Sequence, residues 1–137
     1  MRYIINSTRD YADEFDYTIR SYLTQEKINC LNENRDFIIS VFEDSDSAEF
    51  ECYFGTNEGF DISIHEFFDL ILDAKQISEK EYLILKKFEI ASLDIVDRVI
   101  SYFLDHAYDL FDVEDATEEQ NQNMQKSEEI YRLIDKL

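Results

Sequence analysis

The sequence predicts an α+β fold: a small antiparallel sheet of three to four strands packed by helices, with the C-terminal half all helical. Three observations predict it. Short runs rich in Ile, Val, Phe and Tyr, separated by turn residues, fall in the first 62 residues. After Ser63 the apolar residues recur at spacings of three and four, the period of an α-helix. In that half, Ser63 with Glu66, Ser78 with Glu81 and Thr117 with Gln120 each form a capping-box signature ahead of an apolar run. A chain of 137 residues builds one core comfortably and two poorly, and without proline or a linker residues 1–137 read as a single domain.

Arg2–Asn6 (RYIIN) reads as a first strand, β-branched at Ile4 and Ile5. Ser7 offers an N-cap for a helix from about Thr8 to Leu23, whose apolar stripe is Phe15, Ile19, Tyr22 and Leu23. Lys27–Leu31 either extends that helix or makes a separate turn, and Asn32–Arg35 is a loop. Phe37–Phe42 (FIISVF) is apolar enough for a central strand. Glu43–Ser47 then turns the chain into a strand Ala48–Phe54, where Phe50, Cys52 and Phe54 alternate with Glu49, Glu51 and Tyr53. Gly55–Gly59 holds both glycines and makes the next turn, with Phe60–Ile62 as a third strand of the meander.

Ser63 opens a helix Ile64–Ala74 that presents Phe67, Leu70 and Ile71 to the core and Glu66, Asp69 and Asp73 to solvent. Ser78 opens a helix carrying Tyr82, Leu83, Leu85 and Phe88. Ser92 caps the longest apolar helix, Leu93–Phe111, whose polar stripe is Asp94, Asp97, Ser101, Asp105 and Asp109. Thr117 opens a last helix that packs through Tyr131, Ile134 and Leu137; its first half (EEQNQN) is polar and either loosely packed or partner-facing.

Charge sets this chain apart. Thirty-two acids against thirteen bases give a net charge of −19, and Asp36–Ala74 alone holds eleven acids and no Lys or Arg. Such a chain repels DNA, RNA and anionic membranes and attracts cationic protein surfaces. The 45% of hydrophobic residues still supports a folded core. No run reaches transmembrane length, and two unpaired cysteines without a leader point to a reducing cytoplasm.

Catalytic and metal motifs are not found. His65-Glu66-x-x-Asp69 lacks the second His of a zinc-protease helix, and His106 stands apart, so both read as solvated surface histidines. Asp44-x-Asp46 and Asp112-x-Glu114-Asp115 lack the glycine and the closing acid of a calcium loop. Two glycines cannot make a phosphate loop, and neither Cys30 nor Cys52 has a neighbouring base to activate its thiol. The expectation is a non-enzyme with no cofactor, no metal and no small-molecule substrate.

The remaining feature is surface. Carboxylates at i, i+3 and i+4 on a helix stand roughly 5–6 Å apart, a spacing of the same order as that of phosphates along a strand. Two faces qualify as partner-binding sites. One is Glu43, Asp44, Asp46, Glu49 and Glu51, read as a hairpin. The other is Asp105, Asp109, Asp112, Glu114, Asp115, Glu118 and Glu119, where no Lys or Arg occurs between Arg98 and Lys126.

In size, charge, compact build and lack of catalytic motifs the chain resembles the small acidic inhibitors that phages and mobile elements direct at host defence nucleases, the anti-CRISPR proteins among them. The resemblance spans the chain without a diagnostic motif, so no family residue carries over. It implies a stoichiometric inhibitor that occupies the basic site where a Cas9-type effector receives target DNA, in the host cytoplasm. Arginines that read bases in pairs also accept carboxylates in pairs. The alternatives from the same residues are an immunity protein that neutralises a basic nuclease toxin, and an adaptor that binds through its last helix.

Overall fold

The computed structural model describes residues 2–11, 15–45, 53–55, 61–87 and 92–137. Its first unit is a hairpin of β1 (Arg2–Tyr11) and β2 (Phe15–Thr24), antiparallel from Arg2 opposite Thr24 to Tyr11 opposite Phe15. The first strand is where the sequence places it, and longer. The helix expected over Thr8–Leu23 is instead strand, and the reason is visible in β2. Phe15, Tyr17, Ile19, Ser21 and Leu23 alternate with Asp16, Thr18, Arg20, Tyr22 and Thr24, a period of two written in β-branched and aromatic residues. The helical stripe shared four of those residues. Pairing with β1 decides for the strand.

Thr24 ends β2 and caps α1 (Gln25–Glu33), its hydroxyl accepting from the Lys27 amide at 3.2 Å. Asn34 closes α1, its side-chain amide donating to the Cys30 carbonyl at 2.8 Å. Helix α2 (Arg35–Ser45) follows, where a central strand was expected over Phe37–Phe42. A short apolar run fits a buried helix as well as a strand. Here Ile38, Val41 and Phe42, at i, i+3 and i+4, form one buried face, and Ser40 returns its hydroxyl to the Phe37 carbonyl at 2.7 Å.

The meander is therefore reduced to β3 (Tyr53–Gly55) and β4 (Asp61–Ser63), an antiparallel pair of their own. Of the expected strand Ala48–Phe54 and turn Gly55–Gly59, residues 48–52 and 56–59 lie outside the described residues. Ser63 caps α3 (Ile64–Leu72) by accepting from the Glu66 amide at 3.1 Å, as its signature predicts. Phe68 is buried there beside Phe67 and Ile71, while Leu70 is only partly covered.

Two strands of three residues escape sequence reading. They are β5 (Lys75–Ile77), antiparallel to β1, and β6 (Ser92–Asp94), parallel to β2. The sheet order is β5-β1-β2-β6, so three antiparallel strands gain one parallel edge. Between them α4 (Glu79–Lys87) starts at a reciprocal Ser78–Glu81 box. It buries no residue: of the apolar residues the sequence places on it, Leu83 is 60% exposed, and Phe88 lies outside the described residues.

Helix α5 (Ile95–Phe111) is capped by Asp94 and not by Ser92, because Ser92 is drawn into the sheet. The Asp94 carboxylate accepts from the Val96 and Asp97 amides at 3.1 and 3.2 Å. It also accepts from the hydroxyl of Ser21 on β2, which itself receives the Val96 amide. Helix α6 (Glu118–Lys136) begins at the Thr117–Gln120 box and buries Met124, Ser127, Ile130 and Ile134. Its polar first half is thus docked through Met124, and Leu137 stays largely exposed. One core runs from Ile5 and Leu23 through Phe42, Phe67, Val99 and Phe103 to Ile134, drawing on every helix except α4. The fold is α+β, with the chain helical on both sides of the turn that joins α5 and α6.

Phe103 is fully buried at the centre of α5. Phe103→Ala is expected to cost about 3–5 kcal/mol in urea unfolding, through lost burial and a cavity. Asp94→Ala is expected to cost about 1–2 kcal/mol and Asp94→Asn much less, since Asn also caps. Equal losses for the two Asp94 variants would show that the cap geometry contributes nothing.

Candidate functional site

Glu43 and Asp44 lie in the last turn of α2, not on the hairpin the sequence suggested, and both are exposed. Asp46, Glu49 and Glu51 lie outside the described residues. The second set lies wholly within the described residues. Asp105 and Asp109 project from α5, Asp112 is its C-cap, Glu114 and Asp115 form the turn, and Glu118 and Glu119 open α6. All seven are exposed, and among the described residues none of them forms an ion pair.

Asp115 takes a left-handed backbone at φ 61°, which Asp tolerates better than most residues, and this reverses the chain between the two helices. Tyr108 and Val113, each 41% exposed, place apolar surface among the carboxylates. The fold also links the two predicted faces. The Phe42 ring meets the His106 ring edge-on at 5.0 Å, joining the residue before Glu43 to the residue after Asp105. Glu43 itself is 3.0 Å from His65 Nε2.

The placement of these acids works against the helices that carry them. A helix C-terminus carries partial negative charge, so cations stabilise it and acids oppose it, each by roughly 0.3–1 kcal/mol at the surface. Helix α1 ends on Glu33, α2 on Glu43 and Asp44, α3 is followed by Asp73, and α5 carries Asp109 and then Asp112. None of the four has a base in its last turn. Of the acids in the two predicted faces, Glu118 and Glu119 at the start of α6 suit their dipole, as do the first-turn acids Glu26, Asp36, Glu66, Glu79, Glu81 and Asp97 elsewhere.

The same α5 stripe continues into a small cleft against α6 that the sequence reading did not single out. Asp97, Ile100 and Ser101 face Tyr131, Ile134 and Asp135 around about 140 Å³. Partial burial raises the Asp97 pKa, with Asp94 and Asp135 adding to the rise and Lys27 opposing it. The signal was present, since Asp94, Asp97 and Ser101 stand on the polar stripe of α5; what the sequence lacks is that α6 brings Asp135 alongside.

Cys30 is buried, and burial followed by the nearby Glu33 carboxylate raises its thiol pKa, which disfavours the thiolate a nucleophile needs. Among the described residues no group of three or more His, Cys, Asp and Glu side chains is placed to hold a metal ion. No helix of the described residues is long and apolar enough to cross a membrane. No family model, no curated protein and no solved structure matches the chain.

Because the folded state raises the Asp97 pKa, it binds more protons than the unfolded chain above pH ~3.9, and Asp97 withdraws stability as pH rises through that window. Asp97→Asn is therefore expected to melt higher than wild type at pH 7, with the gap closing below about pH 4. A thermal melt series from acid to neutral pH checks the sign; a gap that widens towards acid would contradict it.

Proposed function

We propose that this protein is a stoichiometric inhibitor that binds the cationic nucleic-acid groove of a defence nuclease, in the manner of an anti-CRISPR DNA mimic. The observation that carries the reading is the run from Asp105 to Glu119, whose seven acids are all exposed and which contains no Lys or Arg. Carboxylates there are rigidly spaced by α5, its cap and the first turn of α6, as phosphates are spaced by a strand. Tyr108 and Val113 add apolar contact at the centre of the face. Acids at the end of α5 cost helix stability, which is the expected signature of residues kept for a partner.

A guide-loaded Cas9-type effector presents such a groove, and arginines that read the short adjacent motif take carboxylates in the same bidentate geometry. The inhibitor works in the cytoplasm where that effector acts. It performs no chemistry: it lowers the concentration of free effector by occupying the site that DNA needs.

Changing Asp105, Asp109 and Asp112 together to Lys is expected to abolish inhibition while leaving the melting temperature equal or higher, because bases suit a helix C-terminus. Target cleavage is measured with the protein added before or after target DNA. Inhibition only when it is added first, lost in the triple variant, supports competition for the DNA site. Inhibition that survives the triple variant rules out this face. Absence of inhibition against guide-loaded nucleases, together with capture of a basic nuclease toxin, supports the immunity-protein reading instead.

A further inference from the structure

Among the described residues, helix α4 is the one helix that contributes nothing to the core, yet Arg2 ties it to the sheet. Arg2 holds it from β1 through an ion pair to Glu79 at 3.0 Å and a cation–π contact 3.9 Å from the Tyr82 ring centroid. Tyr82 in turn meets Tyr22 of β2 edge-on at 5.0 Å. With that side turned to the sheet, the opposite side presents Lys80, Leu83, Ile84 and Lys87 at i, i+3, i+4 and i+7. All four are exposed, Leu83 and Ile84 by 60% and 48%. Among the described residues neither Lys80 nor Lys87 has an ion-pair partner. On a chain of net charge −19, this is a cationic and apolar stripe on an anionic molecule.

Helix α5 carries its counterpart. Asp105, Tyr108, Asp109 and Asp112 are also spaced at i, i+3, i+4 and i+7 and are also exposed. In both stripes the outer charges stand about 10.5 Å apart along the axis, seven residues at helical rise, with an exposed apolar side chain between them. The two stripes match in pitch and oppose in sign.

We propose that a second copy of this chain occupies the α4 stripe, its α5 stripe laid along Lys80, Leu83, Ile84 and Lys87. The contact is heterologous, since different faces of the two copies meet, and it propagates head to tail unless the rotation closes a ring. Two copies of the same protein repel through their net charge, so the attractive approach is the one that puts the lysine-bearing helix against the acids. At about 0.15 M ionic strength the screening length is about 8 Å, which suppresses the distant repulsion more than the local pairs. Association by this contact covers part of the acidic face, so it competes with any cationic partner of that face. The proposal itself stands whether or not such a partner exists.

Sedimentation velocity over micromolar to millimolar concentrations, at about 0.15 M salt, reads it directly. The expected result for wild type is an average mass that climbs with concentration. Lys80→Glu with Lys87→Glu, and separately Asp105→Lys with Asp112→Lys, are each expected to weaken association by about tenfold or more. Mixing the two reversed variants is expected to restore it, because each then offers the other a complementary stripe. Circular dichroism confirms that the surface variants remain folded. A wild type that stays monomeric over the whole range overturns the proposal, and so does association that neither variant weakens or that mixing fails to restore. These readouts involve no nuclease, so their failure is distinct from failure of the inhibitor reading.

Discussion

The structure answers to one constraint, the hydration of carboxylates. A carboxylate loses several kcal/mol when it leaves water without a partner. Thirteen bases could neutralise at most thirteen of the thirty-two acids, so most acids must face solvent whatever the fold. Among the described residues no charged residue is buried in the core and its buried polar residues are three serines, although the Arg20 Nε and the Tyr22 hydroxyl are also buried, without a hydrogen-bond partner. Each serine is satisfied close by: Ser21 by Asp94, Ser63 by the Glu66 amide and Ser127 by the Asn123 carbonyl. With acids excluded from the interior, α2, α3 and α5 each present a buried apolar face and turn their carboxylates to water.

That segregation explains what could be read from residues alone. Caps are local: the boxes at Ser78 and Thr117 form where the sequence places them, and Ser63 caps α3 through its hydroxyl. The α+β class and the helical character of the last forty residues follow from periodicity. Secondary structure over Thr8–Leu23 and Phe37–Phe42 was not legible because both segments carry two periods at once. Phe15, Ile19, Tyr22 and Leu23 fit a helix, and the alternation through Tyr17 and Ser21 fits a strand. Pairing with β1 and packing of Phe37 against Phe103 and Phe111 settle the two cases, and neither contact is local. The edge strands β5 and β6 are three residues each, too short to show any period.

The acidic surface was more legible than the fold. A run without Lys or Arg stays acidic in any conformation, so the face from Asp105 to Glu119 survives intact. What the sequence could not supply was neighbourhood. The edge contact of Phe42 with His106, the approach of Asp135 to Asp97, and the exposure of α4 depend on how helices pack. Glu43 and Asp44 kept their exposure but changed from a hairpin to a helix end, which alters the direction in which they point and not their charge.

The pairing of β6 with β2 bears on the order in which the molecule forms. Ser21 finds its acceptor, Asp94, 73 residues further along the chain. On a ribosome, β1 and β2 emerge early and can zip into a hairpin, but the β6 edge and the hydroxyl of Ser21 must wait until two thirds of the chain has been made. Closing so large a loop before any reward is slow in the sense that governs folding rates. The nascent chain thus spends most of its synthesis with an open sheet edge, and the acidic excess cannot shield it: Arg2, Arg9 and Arg20 nearly balance Asp10, Asp13, Glu14 and Asp16, so the hairpin emerges close to neutral.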